Sequence, residues 1–284
     1  MKENERYLVI EPFTGEEIGY TTPKKVKRFD TYYKFNADKS FVKFFVAERC
    51  KELLQRATKP ELWLFGAVEK YLSPHDNALR EGGHPNGKLL DSHDLEKALG
   101  IKYDNLRRSL TGLREKSLLD EFRLQDGKAI ILNPDIVQRG ENLNPEIYKH
   151  FNTRNTDSHF VKVFESGISL TNGEAWLSMI LRFHVSYNDG VLRYGGHGNG
   201  SALTMTDLPE LVGESYDNIR KLVSGLKRKR ILCGFTQNST QEKVIAMNPS
   251  VCMKGLNMKW ETVLRFDPER AKTVTNTQIL DYII

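Results

Sequence analysis

The sequence predicts an α+β chain, mainly α, in which one structural unit is built twice. Three observations carry that expectation. A stretch of 38 residues recurs 113 positions later. Each copy holds a helix with an apolar stripe and a cationic outer face, and each copy then shows two strand-like runs around a turn.

"GGHPNGKLLDSHDLEKALGIKYDNLRRSLTGLREKSLL" (82–119) lies without a gap over "GGHGNGSALTMTDLPELVGESYDNIRKLVSGLKRKRIL" (195–232), with 17 of 38 positions identical. Trp63 falls on Trp176 in the same register. Further out, "FVKFF" at 41 matches "FVKVF" at 160, and "ILNPDIVQRG" at 131 matches "AMNPSVCMKG" at 246. A recurrence of this length means that the unit was duplicated.

Taken in order, residues 1–40 read as an N-terminal β-hairpin, "YLVIEPFTGEEIG", followed by a basic arm. Its Lys24, Lys25, Lys27 and Arg28 stand beside Tyr32 and Tyr33. A solvated linker is the default reading of such a run, and a groove-following arm the alternative. The first unit is expected over 41–151 and the second over 158–266. The tail 267–284 ends in "ILDYII", apolar enough to dock on the protein's own core, with docking on a partner as the alternative.

Within the second unit, "TNGEAWLSMILRFHVSY" (171–187) opens on a Thr-x-x-Glu capping box and predicts a helix. "TMTDLPELVG" predicts a short helix stopped by Gly213. Ser215 then opens "SYDNIRKLVSGLKRKR", with Ile219, Val223 and Leu226 on one face and Asn218, Arg220, Lys221, Lys227 and Arg228 off it. "ILCGFTQNSTQEKVIAM" predicts two strands around a tip at Asn238 to Gln241. In the first unit the corresponding hairpin is expected to turn at Asp126-Gly127. Helix, turn, helix and hairpin in that order make a winged helix-turn-helix, so the expectation is two of them in tandem.

Composition narrows the function classes. With 284 residues, 39% hydrophobic and 28% charged, the chain is long enough for two cores and has no apolar run long enough to cross a membrane. No signal peptide is legible at the N-terminus, so a cytoplasmic protein of a bacterial host is expected, associated with nucleoid or plasmid. Three scattered cysteines, Cys50, Cys233 and Cys252, fit a reducing compartment and no ligand spacing. The seven histidines form no metal-binding pair, and no catalytic motif is found. The chain is accordingly read as a non-enzyme without metal or cofactor.

One run imitates a nucleotide-binding loop: Gly82, four residues, then Gly87 and Lys88. The lysine lacks the Ser or Thr that would follow it to hold magnesium, and the second copy replaces it with Ser201. Glycines kept in both copies suit a tight turn instead.

The site residues expected to contact duplex DNA lie mostly on the second amphipathic helix of each unit. In the second unit Tyr216, Asn218, Arg220 and Lys221 are placed for base or nearby phosphate contact. Lys227, Arg228, Lys229 and Arg230 are placed for phosphates. In the first unit the corresponding set is Tyr103, Asn105, Arg107 and Arg108. Wing residues Lys243, Arg123 and Lys128 extend the surface. The copies differ in charge. From Tyr103 to Leu132 six Lys or Arg face five Asp or Glu, against seven and two from Tyr216 to Met247. The second copy is therefore expected to dominate DNA attraction, with the first tuning the site or meeting a protein partner.

The order "FVK", helices, hairpin, "LNP", then "RG" or "KG", with the "YLVIEPFTGEEIG" leader, resembles the RepL plasmid replication proteins of Firmicutes and related winged-helix proteins of phages and plasmids. The resemblance covers residues 7 to 150 once and 160 to 266 again. It implies sequence-specific binding of double-stranded DNA, in replication initiation or transcriptional control; two such units in one chain are expected to occupy two half-sites about one helical turn apart. A homodimer, a host or phage protein partner, or a protein-interaction module built on the same units are the alternatives. The tandem duplication departs from the family pattern.

Overall fold

The computed structural model describes residues 41–140, 143–153, 159–164, 167–236 and 243–255, together with Thr262, Phe266 and the backbone of an N-terminal ribbon. In that ribbon β1 (Tyr7–Ile10) pairs antiparallel with β2 (Glu17–Thr21), as the strand-turn-strand leader predicted. The basic arm, the tip at Asn238 to Gln241 and the "ILDYII" tail lie outside the described residues.

The first copy begins with β3 (Phe41–Phe45) and α1 (Glu48–Gln55), followed by α2 (Lys59–Val68), α3 (Ser92–Leu99) and α4 (Tyr103–Glu115). Next come the hairpin β4 (Leu119–Leu124) and β5 (Gly127–Leu132), β6 (Val137–Gln138) and α5 (Pro145–His150). The second copy runs β7 (Phe160–Phe164), α6 (Asn172–Leu181), α7 (Leu208–Val212), α8 (Tyr216–Arg228), the hairpin β8 (Leu232–Thr236) and β9 (Lys243–Met247), then β10 (Cys252–Met253).

Local signals account for most of these boundaries. Thr171 accepts from the Glu174 amide at 3.3 Å while Glu174 Oε2 accepts from the Thr171 amide at 2.8 Å, which fixes the start of α6. Gly100 and Gly213, at φ 65° and 70°, end α3 and α7 in the left-handed conformation that glycine adopts without penalty. Two expectations shift. The helix predicted over 171–187 stops at Leu181, passes through a 3₁₀ turn at Arg182–His184 and becomes extended from Val185, which bridges Leu192. In the first hairpin Leu124 pairs with Gly127, so the two turn residues are Gln125 and Asp126, one position earlier than expected.

The fold class is corrected outright. Helix makes up 43% of the described residues and strand 24%, a mixed α/β chain rather than a mainly α pair of tandem winged helix-turn-helix domains. The extra strand comes from pairing that no local pattern announces. The two "FVK" segments become β3 and β7 and hydrogen-bond to each other, flanked by β6 and β10, in a four-stranded sheet of order β10-β7-β3-β6. One hydrophobic core then runs through both copies, from Phe44, Leu62 and Leu106 to Leu177, Ile219 and Met247.

The seam between the copies repeats itself under exchange. Lys43 pairs with its own counterpart Lys162, Phe41 with Phe164, and Phe45 with Phe160. Both phenylalanine pairs meet edge to face with centroids 6.2 Å apart. Lys43 lies over Phe160 at 5.4 Å and Lys162 over Phe41 at 4.7 Å. On the adjoining helices Gly66 abuts Met179, and Glu69 meets Arg182 at 2.6 Å; each pair occupies matching positions of the two copies. This is the pattern of an isologous dimer interface inside one chain.

Candidate nucleic-acid interface

The glycine run is a tight left-handed turn in both copies. Gly82 and Gly83 have φ of 64° and 63°, Gly195 and Gly196 of 67° and 64°. A side chain on Gly83 would come within 2.6 Å of the Lys70 carbonyl, and one on Gly196 within 2.6 Å of the Phe183 carbonyl. The basic residue of each "RG" or "KG" pins this turn from outside. Arg139 Nη1 donates to Leu72 O at 3.1 Å, and the buried Lys254 Nζ donates to Gly196 O at 3.0 Å. Arg80 and Arg193 clamp the other side, donating to the Gly87 and Gly200 carbonyls at 3.0 and 3.1 Å. Lys88, the residue a phosphate loop would need, is bound to both carboxylate oxygens of Asp94 at 2.8 and 2.9 Å; that hydrogen bond raises the lysine pKa and lowers the aspartate's. The loop braces α3 against the hairpin, and nothing in it points to a bound phosphate.

Helices α4 and α8 are mounted alike. Gly112 and Gly225 let the carboxylates of Glu61 and Glu174, at the starts of α2 and α6, press against the helix backbone. Glu61 accepts from Lys116 at 2.9 Å and Glu174 from Lys229 at 2.5 Å. Burial by itself would raise both carboxyls, but hydrogen bonds from Lys116, Lys229 and the Thr58 and Thr171 amides together hold them below the usual range. Lys229, expected to hold phosphate, is thus committed to the fold.

The outward face of α8 carries the rest. Arg220, Lys221, Lys227, Arg228 and, just past the helix, Arg230 are exposed and form no salt bridge among the described residues. Tyr216 at its start is 47% exposed. Asn218 is half-buried and donates from Nδ2 to Glu214 at 2.7 Å. Glu214 also binds Lys59 of the first copy, and these two contacts hold its carboxyl below the usual range. Sequence reasoning missed this bridge, because nothing local relates Lys59 to a position 155 residues away. Lys243 is exposed at the start of β9.

The first copy is quieter. Asn105, Arg107, Arg108 and Arg123 are exposed, but Tyr103 is half-buried and stacks on His93 with ring centroids 4.7 Å apart. Arg114 pairs with Glu121 at 2.7 Å and with Asp120 at 3.6 Å, and Lys128 pairs with Glu121. Much of its cationic charge is therefore neutralised within the fold.

A cavity of about 410 Å³ opens at the seam between the copies, lined among others by Trp63, Glu69, Met179 and Arg182. Its Glu69 and Arg182 are already bound to each other. Among the described residues no group of three or more His, Cys, Asp or Glu could hold a metal ion, and no helix is long and apolar enough to cross a membrane. No protein-family model matches the chain, and no curated protein matches it. The likeness to RepL proteins therefore rests on the quoted motifs.

Proposed function

We propose that the protein is a sequence-specific binder of double-stranded DNA, carried by a plasmid or phage and acting in the cytoplasm of a bacterial host, in replication initiation or transcriptional control. The observation that carries this reading is the outward face of α8. Four cations, Arg220, Lys221, Lys227 and Arg228, stand there unpaired among the described residues, on a helix fixed to the core through Ile219, Val223 and Leu226. A solvated helix kept for solubility alone would carry mixed charge along its length, as α4 and its hairpin do, whereas beyond the single Asp217 of its first turn the outward face of α8 carries only cations, which suits phosphate neutralisation. Side chains at the start of such a helix are those that meet base edges. Arg220 and Lys221 read bases or adjacent phosphates, and Lys227 and Arg228 hold the backbone.

Selection of bound sequences from a random duplex library, on the wild type and on Arg220→Ala/Lys221→Ala at near-physiological salt, tests the reading. Wild type is expected to enrich a motif that the variant loses or relaxes. Equal enrichment by both proteins would remove α8 from the interface.

A second role is favoured by one observation. The ion pairs of Arg114 and Lys128 with Asp120 and Glu121 leave the first hairpin face nearly neutral, which suits contact with a protein. In that case substitutions on the first hairpin leave DNA affinity unchanged.

A further inference from the structure

The exchange symmetry of the seam determines what kind of DNA site the two copies can share. Equivalent residues face each other at three levels: Lys43 opposite Lys162 in the sheet, Gly66 against Met179 and Glu69 against Arg182 between α2 and α6. Such self-matching arises only when the two copies are related by a local two-fold rotation. A translation or screw would set non-equivalent surfaces against each other. Since α4 is mounted on α2 through Glu61 just as α8 is mounted on α6 through Glu174, the rotation that exchanges α2 and α6 also exchanges α4 and α8.

Resting on the DNA-binding reading above, we infer that the target is an inverted repeat, bound by one chain acting as its own dimer, with two half-sites of unequal strength. A duplex has its own two-fold axes perpendicular to its length, and two helices related by a two-fold meet the groove in opposite directions along it. A direct repeat would require the copies to be related by translation along the duplex. The halves are unequal because the surfaces are. Among the described residues Arg220, Lys221, Lys227 and Arg228 form no salt bridge on one side, while Arg107 and Arg108 face a half-neutralised neighbourhood on the other. The α8 half-site is the stronger and more constrained, and the α4 half-site the looser.

The test uses the full chain. A motif is first selected from random duplexes, and its two halves are then rebuilt in synthetic duplexes as inverted and as direct repeats at every spacing from about 8 to 13 base pairs, bracketing one helical turn. Affinities are measured by fluorescence anisotropy and stoichiometry by mass photometry. The expected result is at least tenfold tighter binding to the best inverted than to the best direct arrangement, in a complex of one chain per duplex. Arg220→Ala/Lys221→Ala should relax the stronger half and Arg107→Ala/Arg108→Ala the weaker. Equal or better binding to a direct repeat, a motif with a single half-site, or two chains per inverted repeat would overturn the inference while leaving DNA binding in place. Failure to enrich any sequence would overturn the DNA reading and the inference with it.

Discussion

Gly83 and Gly196 illustrate how much of the molecule turns on single residues. Each sits in the left-handed region with a carbonyl where a Cβ would go, so alanine at either position combines backbone strain with a steric clash. Gly83→Ala and Gly196→Ala should each destabilise the protein by about 2 kcal/mol or more in urea denaturation, whereas Lys88→Ala, which cuts an exposed ion pair, should change stability little. Glu174 gives a pH signature. Its folded carboxyl is held below the ordinary 4.5, so the stability it contributes is present above the unfolded pKa and is lost as pH falls through the folded one. Glu174→Gln keeps the cap on α6 but loses the charge facing Lys229. It should cost about 2 kcal/mol at pH 7, and its gap to wild type should close as the pH falls through and below the ordinary carboxylate range. Cys252, buried beside Arg182 and Glu69, has its thiol pushed up to about 12 chiefly by burial. It should resist alkylation at pH 8 until the protein unfolds.

At the scale of elements, α8 was legible in advance because its apolar stripe repeats at helical spacing and Ser215 and Gly213 punctuate its start. The Thr171–Glu174 box and the β4–β5 hairpin were legible for the same reason, since each signal lies within a few residues of its effect. What sequence could not show is which cations are free. Lys229 and Arg228 are neighbours in the same basic run, yet one is bound to Glu174, 55 residues away, and the other is exposed. That difference yields a prediction about salt. Lys227→Ala/Arg228→Ala should weaken binding to all duplexes alike and reduce the slope of log affinity against log salt by about 2, leaving the selected motif unchanged. A slope equal to wild type would show that neither residue meets a phosphate.

For the whole molecule, the duplication was plain in the sequence but its consequence was not. Two "FVK" segments, 119 residues apart, gave no sign that they would pair with each other and draw both copies into one sheet and one core. The seam shows divergence since the copies were alike, because matching positions now hold Glu69 and Arg182. A buried pair broken on one side is costly. Glu69→Arg should destabilise the chain by about 3 to 5 kcal/mol, and Glu69→Arg/Arg182→Glu should recover most of that loss in a double-mutant cycle. No recovery would mean that surroundings other than the pair set the charge at each position. The central claim, that duplex DNA lies against the outward face of α8, is tested most directly by photo-crosslinking the wild-type chain to iodouracil-substituted duplex and mapping the linked peptides by mass spectrometry. Crosslinks concentrated in residues 216–230, with Tyr216 foremost and fewer in 103–115, are the predicted result. Crosslinks confined to other surfaces, or none above an unrelated basic protein, would contradict it.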